Sequence, residues 1–205
     1  MLFLSPGAAG RGLIAAIACA AVLLPVTARA DQAGAYTCPV QGDKIATVTA
    51  DTPHADYKGV RYYFCCASCP TEFNKEPAKY VKDSKGKVIG MSLFDPVTTK
   101  RIEPDKAAGH SDVHGVRYFF ASADDKKTFD KNAKKYTASP EKHVLYCPVN
   151  NQAVAAYADA SDYSDVKGTR YYFCCAGCKP AFDKDPEKYL KGIEEKLKAQ
   201  QPDNK

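Results

Sequence analysis

Eight of the chain's nine cysteines stand in two sets of the same spacing. In the first, Arg61-Tyr62-Tyr63-Phe64 runs straight into Cys65-Cys66-Ala67-Ser68-Cys69, and Cys38-Pro39-Val40 supplies a fourth thiol upstream. In the second, Arg170-Tyr171-Tyr172-Phe173 runs into Cys174-Cys175-Ala176-Gly177-Cys178, with Cys147-Pro148-Val149 upstream. A four-thiol constellation repeated at fixed spacing reads first as a metal site. Three converging thiolates suit Cu(I), and a fourth completes tetrahedral Zn(II). Cys38, Cys65, Cys66 and Cys69 then form one site and Cys147, Cys174, Cys175 and Cys178 another, so the chain would hold about two copper or zinc ions. Adjacent cysteines on a strand point to opposite faces, which makes Cys66 and Cys175 the less secure ligands. Cys69 stands at a helix start, where free N–H groups favour thiolate over thiol.

These thiols need elements to position them, and self-comparison finds three units, near residues 36–81, 92–137 and 145–198. The outer two align without a gap from Cys38 to Tyr80 against Cys147 to Tyr189. The middle unit keeps the frame and loses the sulfur. Asp95-Pro96-Val97 stands for Cys38-Pro39-Val40, and Ala121, Ser122 and Asp125 stand for Cys65, Cys66 and Cys69. The shared aromatic pattern therefore serves packing, and the cysteines serve something separable. Each unit reads as a Cys-Pro-Val or Asp-Pro-Val turn, then a hairpin, then short helices. Lys58-Gly59 and Lys167-Gly168 make the hairpin turns, and Pro77 and Pro186 divide the helices. In the last unit Tyr189, Ile193 and Leu197 extend the helix. Lys82–Gly90 and Ala138–His143 read as linkers. A unit of roughly 45 residues is too small for a self-sufficient core, so it needs metal, disulfide or neighbours.

The Asp-Pro-Val opening, the Tyr-x-Gly-x-x-Tyr-Tyr-Phe-Cys run, the Cys-x3-Cys spacing and the trailing Phe and Pro-x-x-Tyr resemble the YHS family and the related TRASH domains. The resemblance covers nearly all of the chain after residue 30. It implies an α+β fold of three tandem small treble-clef-like units, the middle one lacking ligands. It also implies binding of copper, zinc or another heavy metal in sensing, trafficking or resistance. A metal transporter or metalloprotein is then an expected partner. The family's ligand pattern maps onto Cys38, Cys65 and Cys69, and onto Cys147, Cys174 and Cys178. Cys66 and Cys175 are additions to it.

Residues 1–30 read as an export signal: Arg11, then an apolar stretch from Leu13 to Val26, then Ala28-Arg29-Ala30 as a cleavage site. A membrane anchor fits less well because the run is short and broken by Pro25. Lipidation at Cys19 lacks the expected leucine upstream. The protein is then periplasmic or secreted. An oxidising compartment favours disulfides, so a disulfide-stapled interaction module is the main alternative. Cys66-x-x-Cys69 and Cys175-x-x-Cys178 also allow thiol–disulfide exchange, though the chain lacks the βαβ order that usually carries it. The formal charge of +5 is spread among mixed acids and lysines, which is a solvated surface and no nucleic-acid stripe. His54 and His143 lie near the outer sets and read as surface-loop residues before auxiliary ligands. His110-x3-His114 has glycines on both sides and no evident helix. Neither a nucleophile–base set nor a phosphate loop is visible, so no enzyme activity is expected.

Overall fold

In the computed structural model, residues 36–82, 84–191 and 193 are described. The stretch read as an export signal, Cys19, and the part of the expected helical extension beyond residue 193 lie outside the described residues.

The first unit opens with β1 (Tyr36–Thr37) and β2 (Lys44–Ile45), which pair across a tight loop. A hairpin follows, β3 (His54–Tyr57) and β4 (Val60–Tyr63), and then α1 (Cys69–Lys75) and α2 (Pro77–Val81). Next comes β5 (Gly90–Ser92). The middle unit contributes the hairpin β6 (Gly109–Val113) and β7 (Val116–Phe120), then α3 (Ala123–Lys131) and α4 (Ala133–Thr137). Ahead of the last unit stands β8 (Lys142–Val144). That unit repeats the order with β9 (Tyr146–Cys147), β10 (Gln152–Ala153), the hairpin β11 (Asp162–Val166) and β12 (Thr169–Phe173), α5 (Cys178–Lys184) and α6 (Pro186–Leu190). Helices and small sheets are mixed throughout, an α+β fold.

The alternation within each hairpin explains the repeated aromatics. Side chains two apart on a strand share a face, so Tyr62 and Phe64 both meet the helix residue Phe73. Phe64 and Phe73 have ring centroids 5.2 Å apart, and Tyr80 of α2 closes on Phe73 at 6.0 Å. The middle unit repeats this with Phe120, Phe129 and Tyr136 at 5.1 and 6.1 Å. The last does so with Phe173, Phe182 and Tyr189 at 5.2 and 6.3 Å. Phe73, Phe129 and Phe182 are fully buried. Edge and tilted ring pairs add about 0.5–1.5 kcal/mol each beyond area burial. The ladder is the same with or without cysteines.

A second device repeats in each hairpin. Asp56 and Arg61 face each other across β3 and β4 and form a two-pronged ion pair, at 2.8 and 2.9 Å. Asp112 with Arg117, and Asp165 with Arg170, do the same. A bidentate pair fixes register as well as adding energy.

The two stretches read as linkers end in sheet. β5 pairs antiparallel with β4 and parallel with β7, joining the first two hairpins into a five-stranded sheet ordered β3-β4-β5-β7-β6. β8 pairs parallel with β12. Gly90 is needed where β5 squeezes in, because a Cβ there would lie 2.7 Å from the Arg61 carbonyl oxygen. The middle unit reaches the last one through Arg101 N–H, which donates to the Ser161 carbonyl at 2.7 Å. Phe94 also packs on Tyr163 and Tyr172 at 5.4 and 5.7 Å. One buried cluster runs from Tyr36 through Leu93 and Phe94 to Phe182 and Ile193. The small units thus obtain the neighbours their size demands.

Each hairpin turn has two residues of positive φ: Lys58-Gly59, His114-Gly115 and Lys167-Gly168. Such a turn matches the twist of the strands it joins. Gly168 has open space at its Cβ position, whereas a Cβ on Gly59 would meet the Tyr172 hydroxyl at 2.9 Å. Gly168→Ala should cost about 1 kcal/mol from left-handed backbone strain. Gly59→Ala should cost about 1 kcal/mol more, by disturbing the bond from Tyr172 to His143. Urea unfolding of the two variants measures the difference directly; equal losses would mean that Tyr172 moves aside freely.

Candidate metal centre

The upstream cysteine of each set sits in a sharp loop. Cys38 N–H donates to the Asp43 carbonyl and Gly42 N–H donates back to the Cys38 carbonyl, both at 2.8 Å. The turn aims the Gln41 N–H at the Cys38 sulfur, 3.5 Å away. Cys65 follows the end of β4, and Cys69 is the first residue of α1. Three elements distant in sequence therefore converge. The sulfurs of Cys38, Cys65 and Cys69 all lie within 4.8 Å of one another, and so do those of Cys147, Cys174 and Cys178. Thiolates bound ~2.3 Å from one metal ion sit about 3.8–4.0 Å apart, so the spacing fits. The Cys174–Cys178 separation is 4.0 Å. Either triad could hold a metal ion.

Cys38, Cys69, Cys147 and Cys178 are buried, whereas Cys65 and Cys175 are exposed and Cys66 and Cys174 partly so. Each group thus has two deep thiols and an outer rim. Cys66 and Cys175 stand outside the triads but touch them. The Cys66 sulfur is 2.9 Å from that of Cys69, and the Cys175 sulfur 2.7 Å from that of Cys178.

The thiols differ in acidity. Burial raises Cys69 and Cys178, and each is raised further by donating to its neighbour, Cys66 or Cys175. The helix start does not make Cys69 the readiest thiolate, because α1 is short and burial dominates. Cys66 is instead lowered to about 7 by the hydrogen bonds from Cys69 and Ser68. Burial opposes ionisation of Cys38, but the N–H groups of Gln41, Cys65 and Val40 outweigh it and lower its pKa. Cys147 is lowered in the same way, chiefly by the Asn150 N–H. Burial and Cys38 push Cys65 up to about 11. Metal uptake by such a group must release protons.

The middle unit shows what replaces the sulfur. Asp95, at the position of Cys38, is buried. Its Oδ1 accepts from Val97 N–H at 2.8 Å and Thr98 N–H at 3.2 Å, and its Oδ2 accepts from Ala121 N–H at 2.9 Å. One carboxylate thereby ties the loop to the end of β7, the two places a metal would join in the outer units. Ser122 caps α3, accepting from Asp125 N–H at 3.1 Å and donating to Asp125 Oδ2 at 2.6 Å. Sequence reasoning saw these acids as lost ligands; their role as hydrogen-bond hubs needed the geometry.

The histidines are elsewhere. His143 lies on β8, half-buried, with Nδ1 2.9 Å from the Tyr172 hydroxyl and Nε2 3.0 Å from Ser139 Oγ. Burial, with Arg170 and Lys58 nearby, lowers its pKa to about 4. His54 Nδ1 lies 3.0 Å from the Thr52 carbonyl. His110 is on β6 against Phe119, His114 is in a turn, and Asp112 between them is held by Arg117. Among the described residues, none of these histidines joins a metal-capable group. Asn150, which the sequence reading passed over, donates its side-chain amide to the Cys174 sulfur at 3.2 Å. Its only sequence signal is its place in the loop after Cys147.

Fold and site together define a class: small aromatic-cored repeats, two of them carrying a thiol triad that could hold a metal ion. The model of the YHS domain family matches residues 39–84 and 148–192, which span most of the two cysteine-bearing units. The middle unit lies outside those matches and shares with them the hairpin, the ring ladder and the ion pair. Neither curated proteins nor solved structures gave a match.

Proposed function

We propose that this is an exported soft-metal-binding protein, without enzyme activity, that takes one ion at Cys38, Cys65 and Cys69 and one at Cys147, Cys174 and Cys178. Its role is buffering, delivery or resistance in the periplasm, with a metal transporter or metalloprotein as the natural partner. The observation that carries the reading is the convergence of three sulfurs in each outer unit. The order of loop, hairpin and helix around each triad supports a treble-clef-like reading of the unit. Copper is favoured over zinc because three thiolates suit Cu(I), while a fourth ligand would be needed to close a tetrahedral zinc site. The partly exposed rim suits an ion that is handed on. Among the described residues no helix is long and apolar enough to cross a membrane.

Anaerobic titration of reduced protein with Cu(I), against a chromophoric chelator, tests the reading. Wild type should bind two ions per chain, and Cys69→Ser and Cys178→Ser one each. A ratio of three would place a site in the middle unit. No binding by fully reduced protein would leave the disulfide-stapled module as the better account.

A further inference from the structure

Cys66 and Cys175 are the thiols the triads do not use, and both sit against the buried ligand that opens the following helix. Two sulfur atoms in ordinary contact lie ~3.6 Å or more apart, since non-bonded heavy atoms keep their van der Waals separation. Here they stand at 2.9 and 2.7 Å. The middle unit gives an independent view of the same positions with different atoms. Ser122 and Asp125 replace Cys66 and Cys69, and their side chains also meet, at 2.6 Å. The turn from the hairpin into the helix thus brings these two positions together whatever residues stand there. Cys66 is partly exposed and Cys175 exposed, so an outside reagent reaches them, while Cys69 and Cys178 are buried behind.

We infer that Cys66–Cys69 and Cys175–Cys178 are redox pairs that gate the metal sites, forming disulfides that remove the buried ligand from each triad. This rests on the metal-binding reading above. The oxidant is an external disulfide, small or protein-borne. The Cys66 thiolate attacks it, forming a mixed disulfide and expelling one thiolate. The Cys69 thiolate then attacks the Cys66 sulfur and expels the second. Two cysteine sulfurs are oxidised and one external disulfide is reduced to two thiolates; one takes up the proton that Cys66 lost on ionising, and the other takes a proton from solvent. A bound ion leaves with its charge unchanged, because Cys38 and Cys65 alone offer two ligands where three held it. Cys175 and Cys178 act in the same way against Cys147 and Cys174. A reducing partner reverses the reaction and restores the triad.

The test has two arms. In the first, metal-free protein is equilibrated with oxidised glutathione, alkylated and mapped by mass spectrometry. The expected linkages are Cys66–Cys69 and Cys175–Cys178. Linkage of Cys38 to Cys65, or Cys147 to Cys174, as the main product would overturn the inference. This arm involves no metal, so it stands even if the binding reading fails. In the second, Cu(I)-loaded protein is treated anaerobically with oxidised glutathione beside a chelator that leaves the reduced protein loaded. Wild type should lose most of its copper, and the Cys66→Ser/Cys175→Ser double variant should keep it. Equal retention by both, or equal loss from both, would overturn the gate. So would failure of the reduced double variant to bind, since Cys66 and Cys175 would then be ligands themselves.

Discussion

Asp95→Ala should destabilise the protein more than any comparable change of a surface acid, by about 3–5 kcal/mol, the range seen when a buried charge interaction is broken. Asp95 is 1% exposed, and its two oxygens accept three backbone N–H groups from the loop and from the end of β7. Alanine leaves all three part-buried donors without their carboxylate partner. Each lost hydrogen bond to a charged group is worth about 1.5–3 kcal/mol, less whatever water recovers. Asp95→Asn should cost less, because one amide oxygen can still serve Val97 and Thr98. Its NH2 would then face the Ala121 N–H and lose that bond. Against a typical total of about 5–15 kcal/mol, the alanine variant should unfold at much lower urea. The loss should also appear in the last unit, since Phe94, next to Asp95, packs on Tyr163 and Tyr172. If Asp95→Ala lost under about 1 kcal/mol, the carboxylate would not be the middle unit's substitute for a metal cross-link, because loss of three hydrogen bonds to a buried carboxylate should cost more than that.

How much of this was legible follows from which interactions are local. The hairpins were, because Lys58-Gly59 and Lys167-Gly168 carry the turn chemistry and the aromatic run after each carries the strand. The break between α1 and α2 was visible in Pro77, and the inward ring of Tyr80 in its spacing from Phe73. Convergence of Cys38 with Cys65 and Cys69 was read from repetition. Spacing alone does not show that Cys66 stands outside the group. β5 and β8 were not legible. Gly90-Met91-Ser92 is too short to show alternation, and Lys142-His143-Val144 looks polar because His143 finds its partners in Tyr172 and Ser139. Strands that exist by pairing with distant chain leave little local trace. The acidity order was also hidden, because burial overrides the helix start at Cys69 and is a property of the packed unit.

Chelating the metal from loaded protein should loosen the two cysteine loops and leave the Asp95 loop as it was. The cysteine loops carry only short strand pairings. β1 with β2, and β9 with β10, are two-residue pairings. The amides of Cys38 and Gly42 depend on bonds inside the loop itself. Each metal would join that loop to the end of a hairpin and the start of a helix, and structural zinc contributes ~10–16 kcal/mol to small domains that fold only with metal. Here the ring ladders and the shared sheet already fold the unit, so most of that energy is not needed for folding and remains as local protection. Exchange at Cys38, Gly42 and Cys69, and at Cys147 and Cys178, should accelerate by at least ~100-fold on stripping, equivalent to about 3 kcal/mol. Asp95 and Thr99, whose amides bond to Lys100 and Asp95 at 2.9 and 2.8 Å, provide the internal reference. Their carboxylate cross-link cannot be chelated, so they should change little. Hydrogen exchange with thiols kept reduced in both samples reads all three loops in one experiment. Unchanged cysteine loops would mean a site preformed by packing, suited to rapid hand-over. Acceleration of the Asp95 loop in step with the others would mean that the ions stabilise one cooperative fold through β5 and the contacts of Phe94. A cofactor that holds the whole fold together is poorly suited to delivery, so that outcome would turn the functional reading towards storage.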